Sequence, residues 1–540
     1  MNRQTVRAAA PAFAPLTLAA PPGCGDALLA ALAEAGPVAT QPFERRHYDT
    51  SERRLAGCGI VLALCLDAGR WSQRLELDGD GDSHGRCLHV AAISTATAPT
   101  RAPAPPGVDW RRHRGSAALR RATALLRQHG SRGFAGLALV ESCAAQGARH
   151  SVQIATPEAR LQLAAELGEI RCGTERLPIA RLHLELLGGP QAASARLARR
   201  WVRRHRLWIE AEALDERLRR LALGAARPAV ARARVPRLDA EASAGAAGMA
   251  ARAIIASCCE QILGNAAALA AERFEGEHVH QLRIGLRRLR CALRLLDRWP
   301  CRPPRHVVRP LTRAFRTFGA YRDRETVLAK LRPRLLGAGA AGVAWTAGHG
   351  APVDVARAVR RPAFQCALIT LLAHADARTD ARDCSAAPAD GQPLRALFEA
   401  PLQRLQRRLA RAAQRFARLP WRSQHRVRKR LKRLRYLSEF ASTLFDPGRV
   451  AGYLAALEPA QDALGACNDE AIARAQARHW AGTDRDARFA VRALKRSLKR
   501  SRDASLRRAG KRLREAAAAA PFWAAPGRQG VPAMRARLSK

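Results

Sequence analysis

Hydrophobic positions along the 540-residue chain follow two different rhythms. Before residue 190 they come in short runs, such as "GIVLALCL" at 59–66 and "LPIARLHLELL" at 177–187. The second run alternates around Arg181, His183 and Glu185, the period of a strand with one buried face. Helical spacing interleaves at 117–128 and 158–167, so this part reads as α+β. From 249 onward the spacing is helical, Gly and Pro fall between segments, and the chain reads as all α. Between the two, "LALGAARPAVARARVPRLDAEASAGAAG" at 221–248 has no sustained period and reads as a linker.

The helical part repeats itself. "VHQLRIGLRRLRCAL" at 279–293 returns as "QHRVRKRLKRLRYLS" at 424–438. His280 matches His425, Arg283 matches Arg428, Arg287 matches Lys432, Arg288 matches Arg433, and Arg290 matches Arg435. Downstream, "FGAYRD" at 318–323 returns as "LGACND" at 464–469, with 39 and 40 residues from each histidine to the glycine. Matched landmarks at matched separation indicate a tandem duplication. In the first copy Val279, Leu282, Leu286, Leu289, Leu293 and Leu296 form an apolar stripe, and His280, Arg283, Arg287, Arg290 and Arg294 trail it by one residue. One residue is about 100° of helical rotation, so this ladder runs along the flank of the buried face for roughly 21 Å. It has no acidic partner at i+4 within its own helix, which suits an extended anion. The plain alternative is a solvated charged face, but such faces mix signs, and this one occurs twice with a histidine at its head. Each histidine is either a structural group at a helix start or one that gains charge beside bound phosphate.

Composition sharpens this. Lys+Arg number 93 against 46 Asp+Glu, a formal charge of +47, and seven of the basic residues are lysine. A GC-rich genome accounts for much of the Arg-over-Lys bias but not for the excess over acids. That excess implies a polyanionic partner, and guanidinium binds phosphate through paired hydrogen bonds. Residues 1–240 hold 35 basic and 22 acidic residues, and residues 241–540 hold 58 and 24, so the field belongs to the helical part. Thirteen scattered cysteines without a CxxC pair suggest neither a disulfide framework nor a zinc site and fit a reducing cytoplasm. Pro11 and Pro15 interrupt the apolar character of the N-terminus, so export is not expected, and no charge-free run of about eighteen apolar residues suggests a membrane span. "DGDGD" at 78–82 begins like a calcium loop but places His89 where a bidentate Glu is needed, and reads as a turn. No Walker loop, GxSxG or HExxH occurs. The basic segment 492–515 reads equally as an extension of the anion surface or as a solvated helix.

"VHQLRIGLRRLR", "GAYRD", "HRVRKRLKRLRY" and "QDALGACND" (461–469) resemble the CHAD domain, the conserved histidine α-helical domain, over about residues 244–515. The resemblance implies two related four-helix bundles, about 249–380 and 390–515, around a basic pore or groove that binds inorganic polyphosphate, with attachment to polyphosphate granules in several bacteria. It implies binding by His280, Arg283, Arg287, Arg288, Arg290, His425, Arg428, Lys432, Arg433 and Arg435, with Arg294, Arg322 and Tyr436 as weaker candidates.

CHAD domains often follow a CYTH domain, a triphosphate tunnel of antiparallel strands. "HYDTSERRLAGCGIVLALCLDAGRWSQRLEL" (47–77) and "GEIRCGTERLPIARLHLELLGG" (168–189) resemble it, within about residues 8–215. The family's chemical residues are missing: Phe13, Pro15 and Thr17 stand for its opening Glu-x-Glu-x-Lys, Ala63 and Cys65 for two arginines, Glu76 for a lysine, and Arg181 and His183 for carboxylates, leaving Glu185. Metal-assisted hydrolysis of triphosphate needs both the carboxylates and the basic lining. The expected protein is therefore multidomain: a degenerate CYTH-like α+β domain (8–220) with an antiparallel barrel or tunnel, a linker (221–243), an all-α CHAD domain (244–515) and a tail (516–540). Its expected role is noncatalytic polyphosphate binding in the cytoplasm, on granules where these form, without cofactor or metal. The alternative is a metal-dependent inorganic triphosphatase to which the CHAD part delivers substrate. Nucleic acid would be drawn by the same charge, but the ladders lack interleaved aromatics for base stacking.

Overall fold

A computed structural model describes residues 15–77, 87–93, 104–239, 246–297, 299, 302–321, 354–376, 393–480 and 485–524, with the backbone alone at Cys87 and over 472–480 and 485–501. The first part is a nine-stranded antiparallel sheet: β1 (Leu16–Ala19), β2 (Ala39–Asp49), β3 (Ile60–Asp67), β4 (Arg70–Leu77), β5 (Cys87–Ile93), β6 (Val140–Ala155), β7 (Arg160–Cys172), β8 (Glu175–Gly188) and β9 (Trp208–Ile209). The spatial order is β5-β4-β3-β2-β6-β7-β8-β1-β9, and among the described residues no pairing joins the edge strands β5 and β9. Short helices α1 (Gly25–Ala35), α2 (Arg54–Gly57), α3 (Ala117–Gln128), α4 (Gln191–His205) and α5 (Leu214–Ala222) connect and cover it.

The expected strands around 59–66 and 177–187 form, and the helix at 117–128 has the expected ends, with Ser116 accepting from the Leu119 amide as its N-cap. The helix expected at 158–167 does not form. That stretch is β7, paired along its length with β6 and β8. "ARLQLAAEL" has helix-favouring residues, but Leu161, Leu163 and Ala165 are buried on one face at strand spacing, and hairpin pairing with β6 and β8 satisfies the backbone on both sides, so tertiary context overrides local propensity.

The two sheet faces differ. Leu18, Leu163, Ala165, Leu182 and Leu184 enter the main core with residues of α1 and α4. On the opposite face α5 lays Leu214, Leu218 and Leu221 over Phe43, Cys143, Ala145, Ile170 and Ile179. The register places Thr17 beside His183, Ala63 beside His47, Cys65 beside Arg45 and Glu76 beside Val61. Cations on this α5-covered face meet carboxylates of the same domain. Arg45 reaches Asp215 of α5 at 3.0 Å and Asp67 at 2.6 Å, and Arg74 reaches Asp215 at 2.7 Å. His47, fully enclosed by them, is pushed down to about 4 by burial.

The second part is helical: α6 (Ala246–Ala270), α7 (Gly276–Leu296), α8 (308–321), α9 (Val355–Arg360), α10 (Pro362–Ala375), α11 (Leu394–Gln414), α12 (Trp421–Ala441), α13 (Pro447–Trp480) and α14 (Arg485–Ala518). α6 is the one described helix long and apolar enough to cross a membrane, although Arg252 and Glu260 interrupt it. It is 78% buried within the protein over that window, so its apolar surface is spent on the core. One continuous core includes Ile254 and Ile262 of α6, Leu282 and Leu286 of α7, Leu431 and Leu437 of α12, and sheet residues from Leu16 to Ile209.

The segment between the parts is tied down. Residues 225–239 run without regular structure over the helices. Pro228 O contacts His278 Nε2 at 3.1 Å, Ala231 O accepts from Asn265 at 2.8 Å, Arg234 O accepts from Arg288 at 3.0 Å, and Leu238 N donates to Thr443 at 3.0 Å. A segment without periodicity thus spans α6, α7 and the end of α12.

Gly285 lets α7 lie close to α6, because a Cβ there would stand 2.9 Å from Ile262 Cγ1 and 3.4 Å from Gln261 Cγ. Gly285→Leu is expected to cost about 1–3 kcal/mol, the usual range for overpacking, read as a lower midpoint in urea unfolding.

Candidate functional site

The apolar stripe of α7 is buried as expected: Val279, Leu282, Leu286, Leu289 and Leu296 are each inaccessible, while Leu293 is partly buried. Glu275 caps the helix reciprocally with His278, whose Nδ1 accepts from the Glu275 amide at 3.2 Å. With that stripe fixed inward, His280, Arg283, Arg287 and Arg290 are partly buried on its flank, and Arg294 is exposed. Three of the guanidinium groups gather around one ring of α8. Arg283, Arg287 and Arg290 lie 6.0, 5.5 and 4.9 Å from the Phe315 centroid, attracted by its π face.

α12 presents the second ladder, with His425, Arg428, Lys432, Arg433 and Arg435 partly buried and Tyr436 buried. The two ladders converge. Burial pushes the Lys432 amine down to about 6, and Arg287, Arg428 and Arg283 push the same way, against the weaker opposing pull of Asp469. His425 is also lowered, by burial first and then by Lys429, Arg428 and Arg287, although its Nδ1 contacts Asn468 Oδ1 at 3.1 Å. Burial raises the Tyr436 phenol, opposed by a hydrogen bond from Arg287. Arg287 of α7 is therefore an electrostatic neighbour of His425, Lys432 and Tyr436, all on α12.

Not every ladder residue faces that gathering. Arg288 is 1% exposed, donates to Gln261 Oε1 at 3.1 Å and to Arg234 O, lies 3.8 Å from Glu439, and sits 5.3 Å from the Phe440 centroid. It braces α7 against α12 from inside. Arg433, its counterpart, is lowered by burial and faces Cys291 and Arg294 of α7, so each member of the pair leans on the other repeat. Arg435 is neutralised by Glu439 at 2.8 Å, which holds its guanidinium above the ordinary value despite burial. Arg290 is lowered by burial and by its neighbours Arg294, Arg316 and Arg287. Arg322 and the "DGDGD" stretch lie outside the described residues.

Sequence reasoning missed Phe315 and Glu439, which organise the ladders. Phe315 is flagged neither by charge nor by the repeat, whereas Glu439, four residues beyond Arg435, is legible as an i+4 partner. Asn468 lay inside the second echo motif, but its contact with His425 appears only in three dimensions. Among the described residues, no group of His, Cys, Asp or Glu gathers as a metal site.

The family model of the CHAD domain matches residues 253–478, from within α6 to near the end of α13. Residues 253–478 are a CHAD domain. Among solved structures, the CHAD domain of the plant Ricinus communis is 28% identical, with a TM-score of 0.41, over 53% of this chain and 96% of its own. HpAC1 of Hippeastrum, described as having a dominant triphosphatase activity, is 14% identical with a TM-score of 0.23, over 38% of this chain and 93% of its own. No curated protein matches the chain. In this CHAD domain the repeat helices α7 and α12 are the two that carry the converging ladders.

Lys432 should weaken the fold where it titrates. Its folded-state value near 6 lies below the ordinary 10.5, so the unfolded chain takes up the proton first as pH falls, and each proton taken favours unfolding. Lys432→Met is expected to be more stable than wild type, with the gain growing from pH 10.5 down to about 6 and level below it, measured by urea unfolding at a series of pH values.

Proposed function

We propose that this protein binds inorganic polyphosphate noncatalytically, threading the polymer between the α7 and α12 ladders, and that it does so in the cytoplasm on polyphosphate granules where these form. The observation that carries the reading is the convergence of Arg283, Arg287, Arg428 and Lys432, where burial and like charge oppose protonation of the amine. A row of phosphates would relieve that repulsion, restore the proton on Lys432 and accept hydrogen bonds from the guanidinium groups. His280 and His425 head the two rows, and His425 would gain charge beside the same anion. Arg288 and Arg435 serve the fold in this reading, because Gln261 and Glu439 already engage them. Arg294 and Arg433 stand at the far end, near one another.

The same reading assigns no catalysis to the sheet domain. Its α5-covered face has Ala63, Cys65, Glu76, Arg181 and His183 where the CYTH pattern needs other residues, and Arg45 and Arg74 are engaged by Asp215. Tripolyphosphate incubated with the full chain and magnesium or manganese should release no more phosphate than a buffer control. Metal-dependent release above that level would favour the triphosphatase instead.

Charge reversal tests the ladders themselves. Arg287→Glu with Lys432→Glu should weaken polyphosphate binding by about a hundredfold or more, since a charge-assisted hydrogen bond contributes about 1.5–3 kcal/mol and 1.4 kcal/mol is a factor of ten. Reversal at the exposed Arg507 and Arg508 of α14 should cost far less, by calorimetry at physiological salt. Equal losses would assign binding to diffuse charge, and stronger displacement by DNA or RNA than by polyphosphate would assign it to nucleic acid.

A further inference from the structure

The helix α12 is basic on more than its ladder side. Rotation of about 100° per residue sets Arg426 and Arg430 well away from His425, Arg428 and Lys432. On that other side lies a groove of about 300 Å³ between α11 and α12, lined by Arg408, Arg411, Arg415, Arg426 and Arg430, with Ala412, Leu419 and Val427 forming its apolar part. Four of these arginines are exposed and Arg430 is partly buried. No carboxylate lines the groove, and none of the five arginines forms an ion pair with a described residue. Arg426 donates to Ser423 Oγ at 2.8 Å, inside the same lining.

Arg433 links the groove electrostatically to the ladder region. Arg433, on the rotation between the two sides of α12, is an electrostatic neighbour of Arg294 of α7 and equally of Arg404 and Arg408 of α11. Arg408 belongs to the groove lining. A series of like charges therefore leads from Arg294 through Arg433 and Arg408 to the groove arginines Arg411, Arg415 and Arg430. An ordinary solvated helix face would intersperse carboxylates along such a path.

We propose that the α11–α12 groove is a second polyphosphate site, which takes the part of a long chain that extends beyond the ladders. This rests on the ladder reading and adds chain-length selectivity to it. A chain no longer than the ladder occupies the ladder alone. A longer chain held there presents its remaining phosphates to the groove at high effective concentration, so a weak second contact yields a large gain in affinity. The anion is inorganic polyphosphate in preference to a nucleic acid, because no aromatic side chain lines the groove to stack a base.

The test uses the full chain at physiological salt, where exposed charges more than about 8 Å apart are largely screened. Two size fractions of inorganic polyphosphate serve as probes, one no longer than the ladder and one several times that length. Arg411→Gln, Arg415→Gln and Arg430→Gln together should reduce affinity for the long fraction about tenfold and leave the short fraction unchanged, erasing most of the wild-type preference for length. Equal loss for both fractions, or no loss for the long one, overturns the proposal. So does selective loss of a single-stranded oligonucleotide with polyphosphate binding intact. Arg287→Glu with Lys432→Glu should weaken binding of both fractions by about a hundredfold or more, and failure of that control alone would count against the ladder reading instead. The same triple change to Lys, which keeps charge, should retain length preference; its loss would likewise overturn the proposal.

Discussion

Repulsion between like charges is the constraint around which the helical domain is arranged. Arg283 and Arg287 on α7 and Arg428 on α12 repel one another across the helix pair, and burial together with their field disfavours a proton on Lys432 between them. Hydrophobic burial opposes this. Leucines of α7 and α12 join one core, so the two helices cannot separate without exposing a large apolar surface. Arg288, locked to Gln261, Arg234 O and Phe440 and close to Glu439, adds a polar brace between the same helices. In the proposed reading a bound polyanion relieves that repulsion, and the cost carried by the free protein becomes affinity for it.

The sheet domain handles its buried cations in the opposite way. Arg45 and Arg74 both pair with Asp215 of α5, the helix whose leucines pack on the same face of the sheet. Charges compensated within the fold stabilise it and leave little for a ligand, whereas on the CHAD ladders Lys432 has Arg287, Arg428 and Arg283 as its stronger electrostatic neighbours and Asp469 as a weaker one. The two parts share a core and are further joined by the packed segment 225–239, whose carbonyls satisfy Asn265 and Arg288. Breaking that segment would leave buried polar groups without partners, which makes it part of the helical structure despite its linker-like composition.

Much of the helical half was legible in the residues. The three-four stripe from Val279 to Leu296 fixed which side of α7 is buried, and that alone placed His280, Arg283, Arg287 and Arg290 on its flank. The duplication then transferred the same reasoning to α12. The sheet half was less legible. "GIVLALCL" declared itself, but residues 158–167 read as helix, because Ala, Leu and Glu favour it locally, while their strand conformation comes from 13-residue ladders to β6 and β8, the neighbouring strands of two successive hairpins.

Sequence by itself determined that cations lie in rows, since helical rotation is a local property and the apolar stripe leaves them one orientation. It also determined that there are two rows, through repetition of the motif. Only the tertiary structure decided that the rows meet, that Arg287 faces Lys432, that Glu439 also approaches Arg288 of α7, and that Phe315 gathers three guanidinium groups. Those outcomes depend on how α7, α8 and α12 pack against each other, and packing is set by the sum of many weak apolar contacts that no single motif records.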